Sequence, residues 1–237
     1  MSDPRRTGDQ RLTRADVLAP VFWAIFRATT LEQLGWRYPH GPAAVTVDGS
    51  SPVRILVLGD GPAAGCGVRT HDQGVAGFLA REVAEATRRG VHVRVLAEPT
   101  ASARSTVDRV RGADLSGYDA IVLMLAATDA LCLTARRSWQ RHMTALVEAL
   151  SAQTGCLVVT SVGSLDLTPA LSPLARRVAG RHARLLNTVT SLVCARSAVP
   201  MVSLDAASEL TAGTYARWAS RIGAVVTRSL SLTTQHP

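Results

Sequence analysis

Three acidic residues, Asp60, Asp129 and Asp205, each follow closely after a short apolar run of the sequence. If these runs are parallel strands, their carboxyl ends meet at one edge of a sheet, where α/β proteins bind ligands. Carboxylates at such an edge could hold Mg²⁺, which prefers oxygen ligands. Asp60 and Asp129 can equally be acids that hold loops in place, and no histidines cluster with the three. The sequence therefore predicts no metal site.

The glycine-rich segment around Asp60 allows a second interpretation. Gly59, Gly61 and Ala64 fit the G-x-G-x-x-G/A pattern of dinucleotide-binding loops. In those loops the helix begins inside the glycine pattern, so that its N-terminus meets the pyrophosphate. Here the loop continues to about Gly74 before the next helical segment. The pattern thus does not favour a nucleotide, and we predict no cofactor.

Cys66 lies in the same loop with His71 five residues later, and a thiol beside an imidazole can act as a nucleophile. A small residue in a tight glycine loop is the simpler explanation of Cys66. Ser102 and Ser164 also lie near strand ends, but no histidine is placed to activate either. The four cysteines lack the spacing of a zinc site or a disulfide framework. Unpaired cysteines of this kind are typical of proteins in a reduced compartment.

Five apolar runs alternate with five helical segments from residue 53 onward. The predicted strands are 53–58, 91–96, 120–125, 156–161 and 199–204, and the predicted helices are 74–89, 103–111, 135–153, 174–196 and 211–230. Such alternation indicates a parallel sheet that is covered by helices on both faces. We predict a flavodoxin-like three-layer α/β sandwich of five parallel strands in the order 2-1-3-4-5. Its ligand crevice lies at the carboxyl ends of strands 1 and 3.

Residues 1–52 precede this alternation, and we predict a helical extension and linker there, with the main domain at 53–237. Val17, Val21 and Ile25 form an apolar stripe, which predicts a helix over residues 14–34 packed on the domain. Peripheral contact of this helix with a membrane is the alternative. Aspartates lie among the early arginines and no A-x-A site follows them, so we expect no cleaved signal and a cytoplasmic location.

The composition argues against a nucleic-acid partner. All 26 basic residues are arginine and, with 18 acidic residues, they give a net charge of +8. A lysine-free, alanine-rich chain is typical of GC-rich coding, so the arginine content is first a coding bias. The arginines are scattered along the sequence and only 4% of residues are aromatic, which leaves little for a base-stacking surface.

Four segments, in order and spacing, resemble the blocks of SGNH (GDSL-type) hydrolases. Gly59-Asp60-Gly61 stands where the family has Gly-Asp-Ser, and residues 96–102 are similar to its second block. Thr128-Asp129 stands where the family ends Gly-x-Asn-Asp. Asp205 and Ser208 stand where it has Asp-x-x-His. The resemblance covers about residues 53–230, and it implies the α/β fold predicted above and an ancestry among ester hydrolases.

The resemblance also implies a site whose catalytic residues have changed. In the family serine is the nucleophile, a glycine N–H and an asparagine complete the oxyanion hole, and an aspartate orients the histidine base. The matching positions here are Gly61, Thr100, Thr128, Ser208 and Asp205. Glycine has no side chain to attack a carbonyl, and a serine hydroxyl cannot accept a proton as imidazole does. The sequence therefore predicts a degenerate catalytic site.

Hydrogen-bond donors remain at these positions. The backbone N–H groups of Gly61 and Thr100 and the hydroxyl of Thr128 could bind a carbonyl, a carboxylate or a phosphate. Arg69 and Arg104 lie near the crevice in sequence and would favour an anion. We expect a site at Asp60, Gly61, Thr100, Thr128 and Asp129 for a small acyl or anionic ligand, or a scaffold role. An active esterase or acyltransferase with displaced catalytic residues is the alternative.

Overall fold

The computed structural model describes residues 37–163, 165–169 and 171–234. The predicted helix at 14–34 and the candidate nucleophile Ser164 therefore lie outside the described residues. The strands are β1 (Ala44–Val47), β2 (Val53–Gly59), β3 (Val91–Ala97), β4 (Ala120–Met124), β5 (Leu157–Thr160) and β6 (Met201–Val202). The α-helices are α1 (Val75–Thr87), α2 (Ala103–Val110), α3 (Ala127–Leu131), α4 (Arg136–Ser151), α5 (Pro173–Arg196) and α6 (Ala212–Thr234).

The sheet has the order β1-β3-β2-β4-β5-β6. Its five parallel strands, β2 to β6, follow the predicted order, and the α/β fold with a mostly parallel sheet is confirmed. The predicted strand count of five was wrong, because β1 pairs antiparallel with β3 at the sheet edge. This strand is four residues long and lies within the segment interpreted as a linker. Its residues pair with residues of β3 that lie 44–50 positions later in the sequence.

Two hydrophobic cores cover the two faces of the sheet. Alternate residues of β2 point to opposite faces, so Val57 packs with α1 and α6 while Leu58 packs with α2, α4 and α5. The central strands are buried on both sides, which explains why they read as continuous apolar runs rather than alternating ones. No helix of the described residues is long and apolar enough to cross a bilayer.

A capping box begins α2 and fixes the segment before it. The Ser102 hydroxyl accepts a hydrogen bond from the Ser105 backbone N–H at 3.2 Å, and the Ser105 hydroxyl accepts one from the Ser102 N–H at 2.9 Å. Ser102, one of the serines considered as a nucleophile, is thus a helix N-cap. Its position holds Thr100 at the carboxyl edge of the sheet.

Candidate ligand-binding site

A cavity of about 310 Å³ opens at the carboxyl edge of the sheet. Four of the positions singled out in the sequence line it, and they come from the segments that follow four different strands, β2, β3, β4 and β6: Gly61, Thr100, Thr128 and Ser208. The remaining wall is mostly proline, alanine, valine and leucine side chains. Among the described residues no arginine lines the cavity, and its only charged lining residue is Glu209. The walls therefore favour an apolar ligand over an anion.

Three hydrogen-bond donors in the wall have no acceptor among the residues that the structure describes. They are the backbone N–H groups of Gly61 and Thr100 and the hydroxyl of Thr128. Donors in an otherwise apolar pocket fix the orientation of a polar ligand group. These groups can donate hydrogen bonds to the carbonyl oxygen of an acyl ligand, and the chain of that ligand can contact the apolar wall.

Space for a side chain exists at Gly61. A Cβ placed there would lie 3.4 Å from the Tyr38 hydroxyl and 3.5 Å from the Pro99 carbonyl oxygen, which are ordinary contact distances. At Gly59, two residues earlier, a Cβ would lie only 1.9 Å from the Met124 carbonyl oxygen. Packing therefore demands glycine at position 59 but not at position 61. The missing nucleophile is a property of the sequence, not a consequence of crowding.

Asp60 and Asp129 are buried behind the cavity wall and bind backbone groups. Asp60 Oδ2 accepts a hydrogen bond from the Thr128 N–H at 3.0 Å, and burial raises the pKa of this carboxyl to about 7. Asp129 accepts bonds from the Ala103 N–H and the Thr134 hydroxyl, both at 2.8 Å. Burial also raises the pKa of Asp129. Asp60 thus joins the loop after β2 to α3, and Asp129 joins α3 to α2. Neither residue lines the cavity, although the sequence analysis proposed both as ligand-binding residues.

Asp205 is engaged away from the cavity. Its carboxylate pairs with Arg221 at 2.7 Å, and its carbonyl oxygen accepts a hydrogen bond from the Trp218 indole N–H at 3.2 Å. Ser208, three residues later, is exposed and reaches the cavity wall. Gly61, Thr100, Thr128 and Ser208 thus line one cavity, whereas the Asp205 carboxylate contacts α6 instead.

Cys66 lines the cavity but is poorly suited to nucleophilic attack. Its side chain is buried, and burial raises the pKa of its thiol to about 11, so the reactive thiolate is scarce at neutral pH. His71 is half-buried and forms no hydrogen bond with Cys66 in the described structure. The residue beside the thiol is Tyr38. Sequence reasoning missed Tyr38 because it lies in a segment of turn-forming residues before β1.

A sequence model of the GDSL-like lipase/acylhydrolase family matches residues 57–225, which is well over half of the chain. The chain belongs to this family. The resemblance noted in the sequence is thereby confirmed. A search of curated protein sequences found no match to the chain.

Solved structures of ester hydrolases share the fold of this GDSL-family chain. A carbohydrate acetylesterase from Sinorhizobium meliloti has a TM-score of 0.59 at 12% identity, over 74% of this chain and 99% of that one. A lipase/acylhydrolase from Enterococcus faecalis has a TM-score of 0.57 at 16% identity, over 76% and 96%. A variant acetyl xylan esterase from Geobacillus stearothermophilus has a TM-score of 0.57 at 12% identity, over 75% and 95%. At these identities the likeness shows the fold alone.

A hydrogen bond connects the loop from Gly61 to Cys66 with α6. The Tyr215 hydroxyl donates to the Cys66 carbonyl oxygen at 2.7 Å, and the tyrosine is fully buried. We expect Tyr215→Phe to lower the free energy of unfolding by about 1–3 kcal/mol, because it leaves a buried carbonyl without its donor. Urea denaturation measures this. Tyr118→Phe, at a half-buried ring beside Arg54, is the control and should cost much less; an equal loss would contradict the prediction.

Proposed function

We propose that this GDSL-family chain binds the acyl part of a small ligand in the cavity without hydrolysing it. One observation carries the proposal: Gly61 lines the cavity at the position where the family has its serine nucleophile. Ser208, at the position of the histidine base, lines the same cavity and cannot take up the proton of an attacking hydroxyl. The cavity therefore retains hydrogen-bond donors that can bind a ligand but lacks the nucleophile and the base that would hydrolyse it.

The cavity walls support an acyl ligand rather than an anion. Arg69 and Arg104, which could have favoured an anion, are not among the residues that line the cavity. The free donors at Gly61, Thr100 and Thr128 can bind one carbonyl oxygen, and the apolar wall can bury an alkyl chain. A volume of about 310 Å³ is at the lower end for small-molecule sites, so the ligand is small.

Binding and turnover can be measured separately. Hexanamide, which esterases do not cleave readily, serves as the binding probe in calorimetry, and nitrophenyl butyrate reports turnover by release of nitrophenol. We expect hexanamide to bind and nitrophenyl butyrate to be cleaved no faster by wild type than by the Thr128→Val variant. Robust wild-type turnover that Cys66→Ala abolishes would instead establish an active esterase with a displaced nucleophile, since Cys66 lines the same cavity.

A matched pair of variants tests where the ligand sits. Ala207 lines the cavity, whereas its neighbour Ala206 is exposed and outside it. We expect Ala207→Phe to weaken hexanamide binding by at least about tenfold, because the phenyl ring fills space that the acyl chain needs. Ala206→Phe should leave binding unchanged. Equal affinities for hexanamide in the two variants, with both folded by circular dichroism, would place the ligand elsewhere.

We also propose a cytoplasmic location for the protein. All four cysteines are free, and three of them are buried: Cys66, Cys156 and Cys194. Free thiols are usual in a reduced compartment, where disulfides rarely persist. Thiol titration of the unfolded protein, purified without reductant, should find four free thiols.

A further inference from the structure

The outer face of α5 carries an apolar stripe that nothing in the described structure covers. Leu174, Leu185 and Leu192 are 69%, 38% and 49% exposed. They are three of the five large apolar side chains that are exposed in the described part of the chain. Their spacing of 11 and 7 residues places them on one side of a helix with 3.6 residues per turn. Aligned exposed leucines indicate an interaction surface rather than scattered apolar residues.

Positive charge accompanies this stripe. The arginines of α5 are Arg176, Arg177, Arg181, Arg184 and Arg196, and the helix contains no acidic residue. Arg181 lies on the leucine side of the helix, four residues before Leu185, and Arg177 lies next to it. Neither of these two arginines has an ion pair with another described residue, whereas Arg184 pairs with Asp166. The leucine face of α5 therefore has uncompensated positive charge.

We propose that this face of α5 docks on an anionic lipid bilayer. Leucines that lie among arginines on one face are the pattern of a helix lying in the plane of the membrane interface. The leucines enter the boundary of the acyl chains, and the arginines bind headgroup phosphates. The opposite face of α5, with Leu186 and Val189, is buried against the sheet, which fixes the orientation of the helix. The helix is about 36 Å long, and its outer face points away from the sheet.

Charge and composition favour a bilayer over a nucleic acid or a second copy of the chain as the partner of this face. A nucleic acid would engage the arginines but leave the leucines exposed, and α5 has no aromatic side chain on which a base could stack. A second copy of the chain, docked by the same face, would bring arginines against arginines in a symmetric contact. An anionic lipid surface satisfies the leucines and the arginines together.

The side of α5 opposite the leucines contacts the wall of the cavity. Asn187 of α5 binds both backbone groups of the cavity residue Val162, with Oδ1 accepting from its N–H at 2.9 Å and Nδ2 donating to its carbonyl at 3.1 Å. Leu165 and Pro169, which precede α5, also line the cavity, and Leu167 between them is 45% exposed. A docked α5 would therefore hold the cavity close to the bilayer, whatever occupies it.

Vesicle flotation with the full chain tests the docking. The probes are vesicles of phosphatidylcholine alone and of an equal mixture of phosphatidylcholine and phosphatidylglycerol. We expect binding to the mixed vesicles and not to the neutral ones, with the affinity falling at high salt because salt screens exposed charges. Equal binding to both kinds of vesicle, or binding to neither, would overturn the proposal.

Matched arginine variants locate the contact. We expect Arg177→Gln with Arg181→Gln to weaken binding to the mixed vesicles about 25-fold, at about fivefold for each arginine near an anionic surface. Arg88→Gln with Arg228→Gln removes the same charge from exposed positions outside α5 and should change the affinity less than twofold. An equal effect of the two pairs would mean attraction by net charge alone and would overturn the assignment to α5.

A leucine variant separates a bilayer from a nucleic acid. We expect Leu174→Gln to weaken vesicle binding about tenfold, because one large apolar side chain no longer enters the interface. Leu232→Gln, at a leucine that is 61% exposed on α6, is the control of similar exposure and should have no effect.

Residues 1–36 are intact in every variant, so vesicle binding that none of the α5 substitutions changes would assign the contact to another part of the chain and overturn the proposal. Binding of an RNA oligonucleotide that depends on the arginines but not on Leu174, with no vesicle binding, would also overturn the proposal. Circular dichroism confirms that each variant is folded.

Discussion

The double variant Gly61→Ser with Ser208→His is expected to hydrolyse short-chain nitrophenyl esters at least about 100-fold faster than the wild-type protein. Both positions line one cavity, and a Cβ at position 61 meets only ordinary contacts, so the serine can be accommodated. Thr100 and Thr128, whose donors have no acceptor among the described residues, line the same cavity and are the candidates to bind the oxyanion. Because a positioned general base contributes about 10²–10⁴-fold, restoring nucleophile and base together produces the gain.

The single variants are the controls for this result. Gly61→Ser alone should gain little because no base takes up its proton, and Ser208→His alone should gain little because no nucleophile is present. The Asp205 carboxylate is held by Arg221 at 2.7 Å, so adding Arg221→Gln should release it to orient the imidazole and raise the rate further. Initial rates of nitrophenol release are measured for the wild type and for all four variants. A double variant as slow as wild type would show that positions 61 and 208 are not placed as nucleophile and base.

The parallel strands were predictable because β2, β4 and β5 are buried on both faces. Burial of both faces leaves a short apolar run in the sequence, and the loop after each run contains the residues of the carboxyl edge. Strand ends alone predict the position of this edge, and the resemblance to SGNH hydrolases then singles out Gly61, Thr100 and Thr128 among its residues. The edge strand β1 left no such signal, because its four residues are only partly buried and follow Gly41 and Pro42.

Side-chain directions within the site were not predictable from strand ends. Asp60 and Asp129 lie at the predicted edge, but their carboxylates turn to the backbone N–H groups of Thr128 and Ala103, which are 68 and 26 residues away. Tyr38 reaches Gly61 from outside the parallel strands. These contacts depend on how separate loops pack together, and local spacing in the sequence does not encode them.

The contribution of Asp60 to folding stability should fall as the pH rises from about 4 to about 7. Burial raises the pKa of this carboxyl from 3.8 to about 7. Between these values the unfolded chain has lost the proton that the folded chain retains, so unfolding becomes easier with rising pH. At about 1.4 kcal/mol for each unit of pKa, the full effect is on the order of 4 kcal/mol. Burial lowers the pKa values of His71, His142 and His182. These histidines are protonated more readily in the unfolded chain, so their contribution to folding stability falls as the pH falls, which is opposite to the effect of Asp60.

The variant Asp60→Asn isolates this contribution from that of the histidines. Asparagine retains an oxygen that accepts the Thr128 N–H but has no charge to bury, although its amide group can itself lack a partner and cost about 1–3 kcal/mol at every pH. Urea denaturation at about pH 5 and about pH 8 should therefore show the variant gaining roughly 3 kcal/mol relative to wild type between the two pH values. The exposed Asp48→Asn is the control and should run parallel to wild type. If Asp60→Asn also ran parallel to wild type, Asp60 would not change its protonation on folding, and a buried negative charge would have to be stabilised by the backbone N–H groups of residues 126–128.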